Sequence, residues 1–143
     1  MELILWRHAD AQDGADDMAR RLTPRGEQQA AAMAQWLRSH LPNHYTVLAS
    51  PAVRAQQTAA ALGAGITTDK TLAPGASASA IVKAAEKHKG VVLIVGHQPD
   101  LGRAAAQLVA NARAEWPIEK GAIWWLAGAA PARIKAVVSP ELL

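Results

Sequence analysis

Leu3-Ile4-Leu5-Trp6-Arg7-His8-Ala9-Asp10 opens the chain with four apolar residues, followed by a cation and an imidazole. Four consecutive apolar residues without helical spacing predict a strand buried on both faces, the habit of parallel sheets. Arg7 and His8 then stand where that strand must end, and ligands of open α/β sheets bind at the carboxyl ends of the strands. A second stretch has the same form: Val91-Val92-Leu93-Ile94-Val95 runs into Gly96, His97, Gln98 and Pro99. If the two strands lie side by side and parallel, His8 and His97 face one pocket.

Outward from these strands, residues 9–22 are polar and acidic and read as a long loop over the sheet edge. Thr23 and Pro24 supply an N-cap and a first-turn proline for a helix running to about Ser39. Tyr45 to Ala49 predicts a second short strand, and Ser50 with Pro51 predicts another N-cap and N1 pair, opening a helix through Leu62. Ile66 to Asp69 reads as a short strand, 70–77 as a Pro/Gly loop, and Ser79 to His88 as a helix closed by Gly90. After the Val91 strand come a helix from about Asp100 to Ala112 and two apolar runs, Ala122 to Leu126 and Arg133 to Val138. The alternation predicts a three-layer α/β/α sandwich with a mostly parallel central sheet. The turn at 128–131 is too short for a crossover, so the last two strands should form a hairpin or an antiparallel edge.

At 143 residues the chain fits one domain, residues 1–143. It has no cysteine, which excludes disulfides, thiolate metal sites and thiol nucleophiles. No secretory signal precedes the first strand and no apolar run approaches a membrane span, so the expected location is cytoplasmic, with no membrane partner. Fifteen Lys and Arg against twelve Asp and Glu give a net charge of +3. The basic residues are dispersed and lack the stripe and stacking aromatics of a nucleic-acid binder. Oligomeric state is left open.

Three features sit at strand-to-helix junctions: Arg7 with His8; Ser50, Pro51 and Arg54; and Gly96 with His97. Arg54 lies in the first turn of its helix and can reach back over the same sheet edge. Two guanidinium groups and helix N-termini suit phosphate oxygens, so the implied ligand is a phosphoryl group. A neutral imidazole is a competent nucleophile toward phosphorus, and cations on the equatorial oxygens supply most of the stabilisation such transfers need. Elsewhere, His40 and His44 have metal-ligand spacing but no partner ligands and read as surface residues. His88 reads as a helix-terminal charge and Asp10, Asp13, Asp16 and Asp17 as a solvated loop. Of adjacent Trp124 and Trp125, at least one should point to the core.

Arg7-His8, then Leu22-Thr23-Pro24 and Gly26, then Ser50-Pro51, Arg54, Gln57-Thr58-Ala59, and finally Gly96-His97 together resemble the histidine phosphatase superfamily, with the phosphoglycerate mutase-like fold. The small size, the 7–11 opening and Arg21 before Leu22 are most similar to SixA-type phosphohistidine phosphatases. The resemblance implies that His8 is the phosphorylated nucleophile, that Arg7 and Arg54 are phosphate ligands, and that His97 is the second pocket histidine. Arg21 is a further candidate phosphate contact, although Arg20 and Arg25 adjoin it and any of the three could be merely solvated. No metal or organic cofactor is implied. The partner would be a phosphorylated protein, such as a histidine phosphotransfer domain or a phosphotransferase-system protein.

Two departures stand out. Ala9 occupies a position that is usually glycine in the superfamily. The acid that mutases and many phosphomonoesterases carry after the third strand is missing, since 72–77 reads Leu-Ala-Pro-Gly-Ala-Ser. An alkoxide leaving group gains about 10²–10⁴-fold from a positioned acid, whereas a protonated phosphoimidazole departs as a neutral ring. A pocket without a carboxylic acid therefore favours phosphohistidine. A small-molecule phosphomonoesterase and a non-catalytic phosphate-recognising module remain the alternatives.

Overall fold

A computed structural model describes all residues 1–143. Strand β1 (Glu2–Arg7) lies inside a six-stranded sheet, which is why Leu3 to Trp6 are fully buried. Its neighbours are β4 (Val91–Gly96), parallel, with Glu2 opposite Val91 and Arg7 opposite Gly96, and β5 (Ile123–Ala127), antiparallel. With β2 (Tyr45–Ala49), β3 (Thr67–Thr68) and β6 (Arg133–Val138), the order is β3-β2-β4-β1-β5-β6. The first four strands of that order are parallel, and β5 and β6 make the antiparallel edge the short turn requires.

Alternation along β1 feeds two cores. Ile4 and Trp6 pack with Met33 and Leu37 of α1 (Pro24–His40) and with Ala55 and Ala59 of α2 (Val53–Ala60). Leu3 and Leu5 pack with Ile81 of α3 (Ala78–Glu86) and Leu101 of α4 (Asp100–Ala110). These are the three layers predicted. No helix is long and apolar enough to cross a membrane.

The start of α1 is locked to the loop after β1. Thr23 Oγ1 accepts from Gly26 N at 3.0 Å and donates to Asp10 Oδ2 at 2.7 Å, while Thr23 N donates to Asp10 O. A Cβ on Gly26 would lie 2.0 Å from Asp10 O, so only glycine lets the helix come this close.

Local differences from the predicted elements have clear causes. The 9–22 loop contains a 3-10 turn over Asp17–Ala19 and an antiparallel bridge between Ala11 and Leu22. Ser50 and Pro51 do not open α2. Ala52 is its N-cap and, as an alanine, offers no side-chain acceptor, while the Ser50 hydroxyl accepts from Ala52 N and is engaged in the site described next. Ser77 caps α3 by accepting from Ala80 N. Asn111, at φ 49°, ends α4 two residues earlier than predicted. Trp125 is buried against Trp36, and Trp124 is half-buried against Trp116.

Candidate active site

The parallel register of β1 and β4 brings their following residues together. His8 N donates to Gly96 O at 3.0 Å, and the rings of His8 and His97 stand 5.3 Å apart. Both are buried, at 8% and 4% exposure.

His8 Nδ1 lies 2.8 Å from Ala9 O. A carbonyl only accepts, so Nδ1 carries the proton and Nε2 the lone pair. Arg54 Nε donates toward that Nε2 from 3.4 Å. Burial lowers the His8 pKa to about 4, opposed by the Ala9 hydrogen bond and reinforced by Arg54 and Arg7. At neutral pH the ring is therefore uncharged, with Nε2 unprotonated. Thr58 of α2 fixes the turn by accepting from Ala9 N at 3.0 Å while donating to Arg54 O at 2.8 Å.

His97 Nε2 lies 2.7 Å from Ser50 Oγ, which also accepts from Ala52 N. The Ser50 hydroxyl is fully buried and makes no other donor contact, so it donates to Nε2 and leaves the His97 proton on Nδ1. Burial, then the neighbouring His8 and Arg54, lowers the His97 pKa to about 3.

Arg7 donates from Nη1 to Ile118 O at 2.8 Å, while its Nε is buried without a partner. His97 Nδ1 is likewise buried and unpartnered. Buried polar groups are paired in the great majority of cases. Here two unpaired donors belong to side chains lining the same cavity, of about 420 Å³, with His8 and Arg54. Five cations, Arg7, Arg20, Arg54, Arg103 and Lys120, line the cavity against two carboxylates, which suits an oxyanion. The N-termini of α2, which has no side-chain cap, and of α4, where Gln98 Oε1 accepts from Gly102 N, abut this cavity and favour the same charge. A larger cleft of about 550 Å³ shares Arg7 and Lys120 with it but contains neither imidazole, so the chemistry sits in the smaller cavity. No three His, Asp or Glu side chains converge as a metal site.

Arg21 is exposed and does not line the cavity; its neighbour Arg20 does. The chain is extended here, so alternate side chains point opposite ways: Arg20 and buried Leu22 face inward and Arg21 outward. The expectation of a pocket free of carboxylates is also corrected, because Asp17 and Asp100 both line it. Asp17 takes Arg54 at two points, Nη1 to its main-chain O at 2.6 Å and Nη2 to Oδ2 at 3.1 Å, and Arg20 Nη1 binds its Oδ1 at 3.0 Å. Hydrogen bonds from Arg20 and Arg54 lower its pKa, so it is an ionised base and no proton donor. Asp100 is 2% exposed, and burial raises its pKa. Its Oδ2 accepts from Gly75 N at 2.9 Å, which ties the Pro74–Gly75 wall to α4 where the missing acid would stand.

Sequence reasoning placed Ser50 at the junction but read it as a helix cap, and it missed Asp17, Arg20 and Asp100 as parts of the site. The Asp17-x-x-Arg20 spacing was the available signal for that pair, since a single 3-10 turn brings residues three apart together.

A family model described as the histidine phosphatase superfamily, branch 1, matches residues 3–75. The chain is 31% identical over 119 residues to the phosphohistidine phosphatase SixA of Escherichia coli K12, spanning 76% of this chain and 74% of that protein. Among solved structures, a SixA-type protein from Nakamurella multipartitia superposes with a TM-score of 0.82 at 31% identity, covering 97% of this chain and 95% of that one. The protein histidine phosphatase SixA complexed with tungstate superposes with a TM-score of 0.86 at 26% identity, covering 99% of both chains.

Proposed function

We propose that this chain, which belongs to the histidine phosphatase superfamily, hydrolyses phosphohistidine on a protein substrate through a phosphorylated His8, without a metal ion. The observation that carries the reading is that His8, presenting an unprotonated Nε2, lines one cavity together with Arg7, Arg54 and His97.

In this mechanism the phosphoryl oxygens lie among Arg7, His97 and the N–H groups of Arg54 that Asp17 and His8 leave free. His8 Nε2 attacks phosphorus in line, and the bond to the leaving group breaks. Charge on the equatorial oxygens meets two guanidinium groups already in place, so little reorganisation is needed. Water then attacks phospho-His8, releasing inorganic phosphate and restoring the neutral ring. A protein-borne substrate fits the rim, where the Arg103 and Lys120 side chains are about half exposed beside the opening. A histidine phosphotransfer domain or phosphotransferase-system protein in the cytoplasm belongs to the same proposal.

The test compares turnover of a phosphohistidine peptide with that of aryl and sugar phosphates, in buffer containing a chelator, for wild type and His8→Ala. Preference for the peptide, with an acid-labile, base-stable label on wild type alone, is expected. Faster turnover of sugar phosphates, or phosphate binding that never labels His8, would overturn the assignment.

A further inference from the structure

Asp17 lines the cavity and has no part in the mechanism beyond its hold on Arg54. Asp17 is the carboxylate on Arg54, and its side chain is 56% exposed while that of Arg54 is 5% exposed. Arg54 Nε faces the His8 nucleophile at 3.4 Å and Nη2 holds Asp17 Oδ2 at 3.1 Å, so the carboxylate stands one guanidinium's width further out. In an in-line displacement the leaving group departs on the side away from the attacking nitrogen, which here is outward. Asp17 is a carboxylate in the cavity wall, more exposed than the guanidinium it holds. A second dianionic phosphate oxygen or an alkoxide would be repelled there, whereas a cationic ring would be attracted.

We infer that Asp17 is a specificity-determining residue that accepts a hydrogen bond from the distal ring N–H of the substrate's phosphoimidazole and so selects a protonated imidazole as leaving group. This rests on the phosphohistidine reading above. The His8 Nε2 lone pair forms the new N–P bond, and the electron pair of the substrate's N–P bond returns to the ring nitrogen it came from. The ring keeps its proton on the distal nitrogen throughout and leaves as neutral imidazole. Asp17 neither gives nor takes a proton; by stabilising the cationic form of the bound substrate it keeps the ring from having to depart as imidazolate. Two arginines hold the carboxylate in place, so its position does not depend on substrate. The same two arginines keep it ionised, which suits an acceptor and makes it useless as an acid for sugar-phosphate esters.

Asp17→Asn keeps the shape and one acceptor oxygen while removing the charge. Wild type and variant are compared on a phosphohistidine peptide and on p-nitrophenyl phosphate, whose leaving group carries no cation. The ratio of kcat/KM for the peptide over the aryl ester is expected to fall tenfold or more in the variant. The alkaline limb of kcat for the peptide is expected to move about one unit to lower pH, the low end of what an opposite charge does to a neighbouring group. Equal losses on both substrates would show that Asp17 only anchors Arg54, and an unmoved ratio would show that it does not sense the leaving group; either result overturns the inference. If wild type itself fails to turn over the peptide, it is the underlying phosphohistidine reading that falls.

Discussion

Lowering the pH from 7 to 5 should destabilise this protein through its two buried imidazoles, and the size of the effect can be worked out. Folding lowers the pKa of His8 from 6.5 to about 4 and that of His97 from 6.5 to about 3. Between those values and 6.5 the unfolded chain binds protons that the folded chain refuses, so stability rises with pH and is lost as pH falls through this window. One pKa unit corresponds to about 1.4 kcal/mol, so each ring should cost about 2 kcal/mol between pH 6.5 and 5. Two rings together give about 4 kcal/mol, a large share of the roughly 5–15 kcal/mol typical of a domain. Urea unfolding at pH 7 and pH 5 reads this directly. With slopes of about 1–3 kcal/mol/M, each ring corresponds to about 1 M in the midpoint. His97→Asn and His8→Asn should each lose about 2 kcal/mol of the pH dependence, because the carboxylates contribute alike to wild type and variant and drop out of the difference. Identical pH dependence in wild type and both variants would refute the claim that the site holds its imidazoles neutral by burial, and with it the ready lone pair on His8.

Three further outcomes are expected. Arg54→Ala should lower kcat by about 10²–10³-fold, as loss of one preorganised donor does elsewhere, measured with whichever substrate wild type turns over best. Ser50→Ala frees the His97 tautomer and should lower kcat by roughly tenfold, about the worth of one hydrogen bond, with phosphate affinity weakened in parallel when read by competitive inhibition. Asp100→Ala leaves the Gly75 N–H without its acceptor and should cost about 1–3 kcal/mol in urea unfolding, together with faster proteolysis at the Pro74–Gly75 wall.

The sheet was readable in the sequence because its central strands are unbroken apolar runs ending in Arg7-His8 and Gly96-His97, and burial on both faces leaves no other use for such runs. Parallel pairing of those two strands followed, and the structure places His8, Arg7, Arg54 and His97 around one cavity. What stayed hidden depends on contacts between distant segments. Ser50 looks like a cap until His97 arrives from another strand to take its hydroxyl. Asp17 looks solvated until Arg54, 37 residues away, reaches it. Arg20 and Arg21 are chemically equivalent, and only the inward turn of the extended backbone chooses between them.

His8 and His97 follow strands that are hydrogen-bonded neighbours in register, Arg7 opposite Gly96. The gap between the two imidazoles is thus inherited from the fixed pitch of the main-chain ladder, about 4.8 Å, and owes little to the identity of the residues in the outer layers. Such a jaw tolerates wholesale rewriting of the helices that clothe it, provided they still cover both faces. A designer wishing to change what this protein accepts could therefore exchange the rim and the loops while leaving the reactive spacing alone.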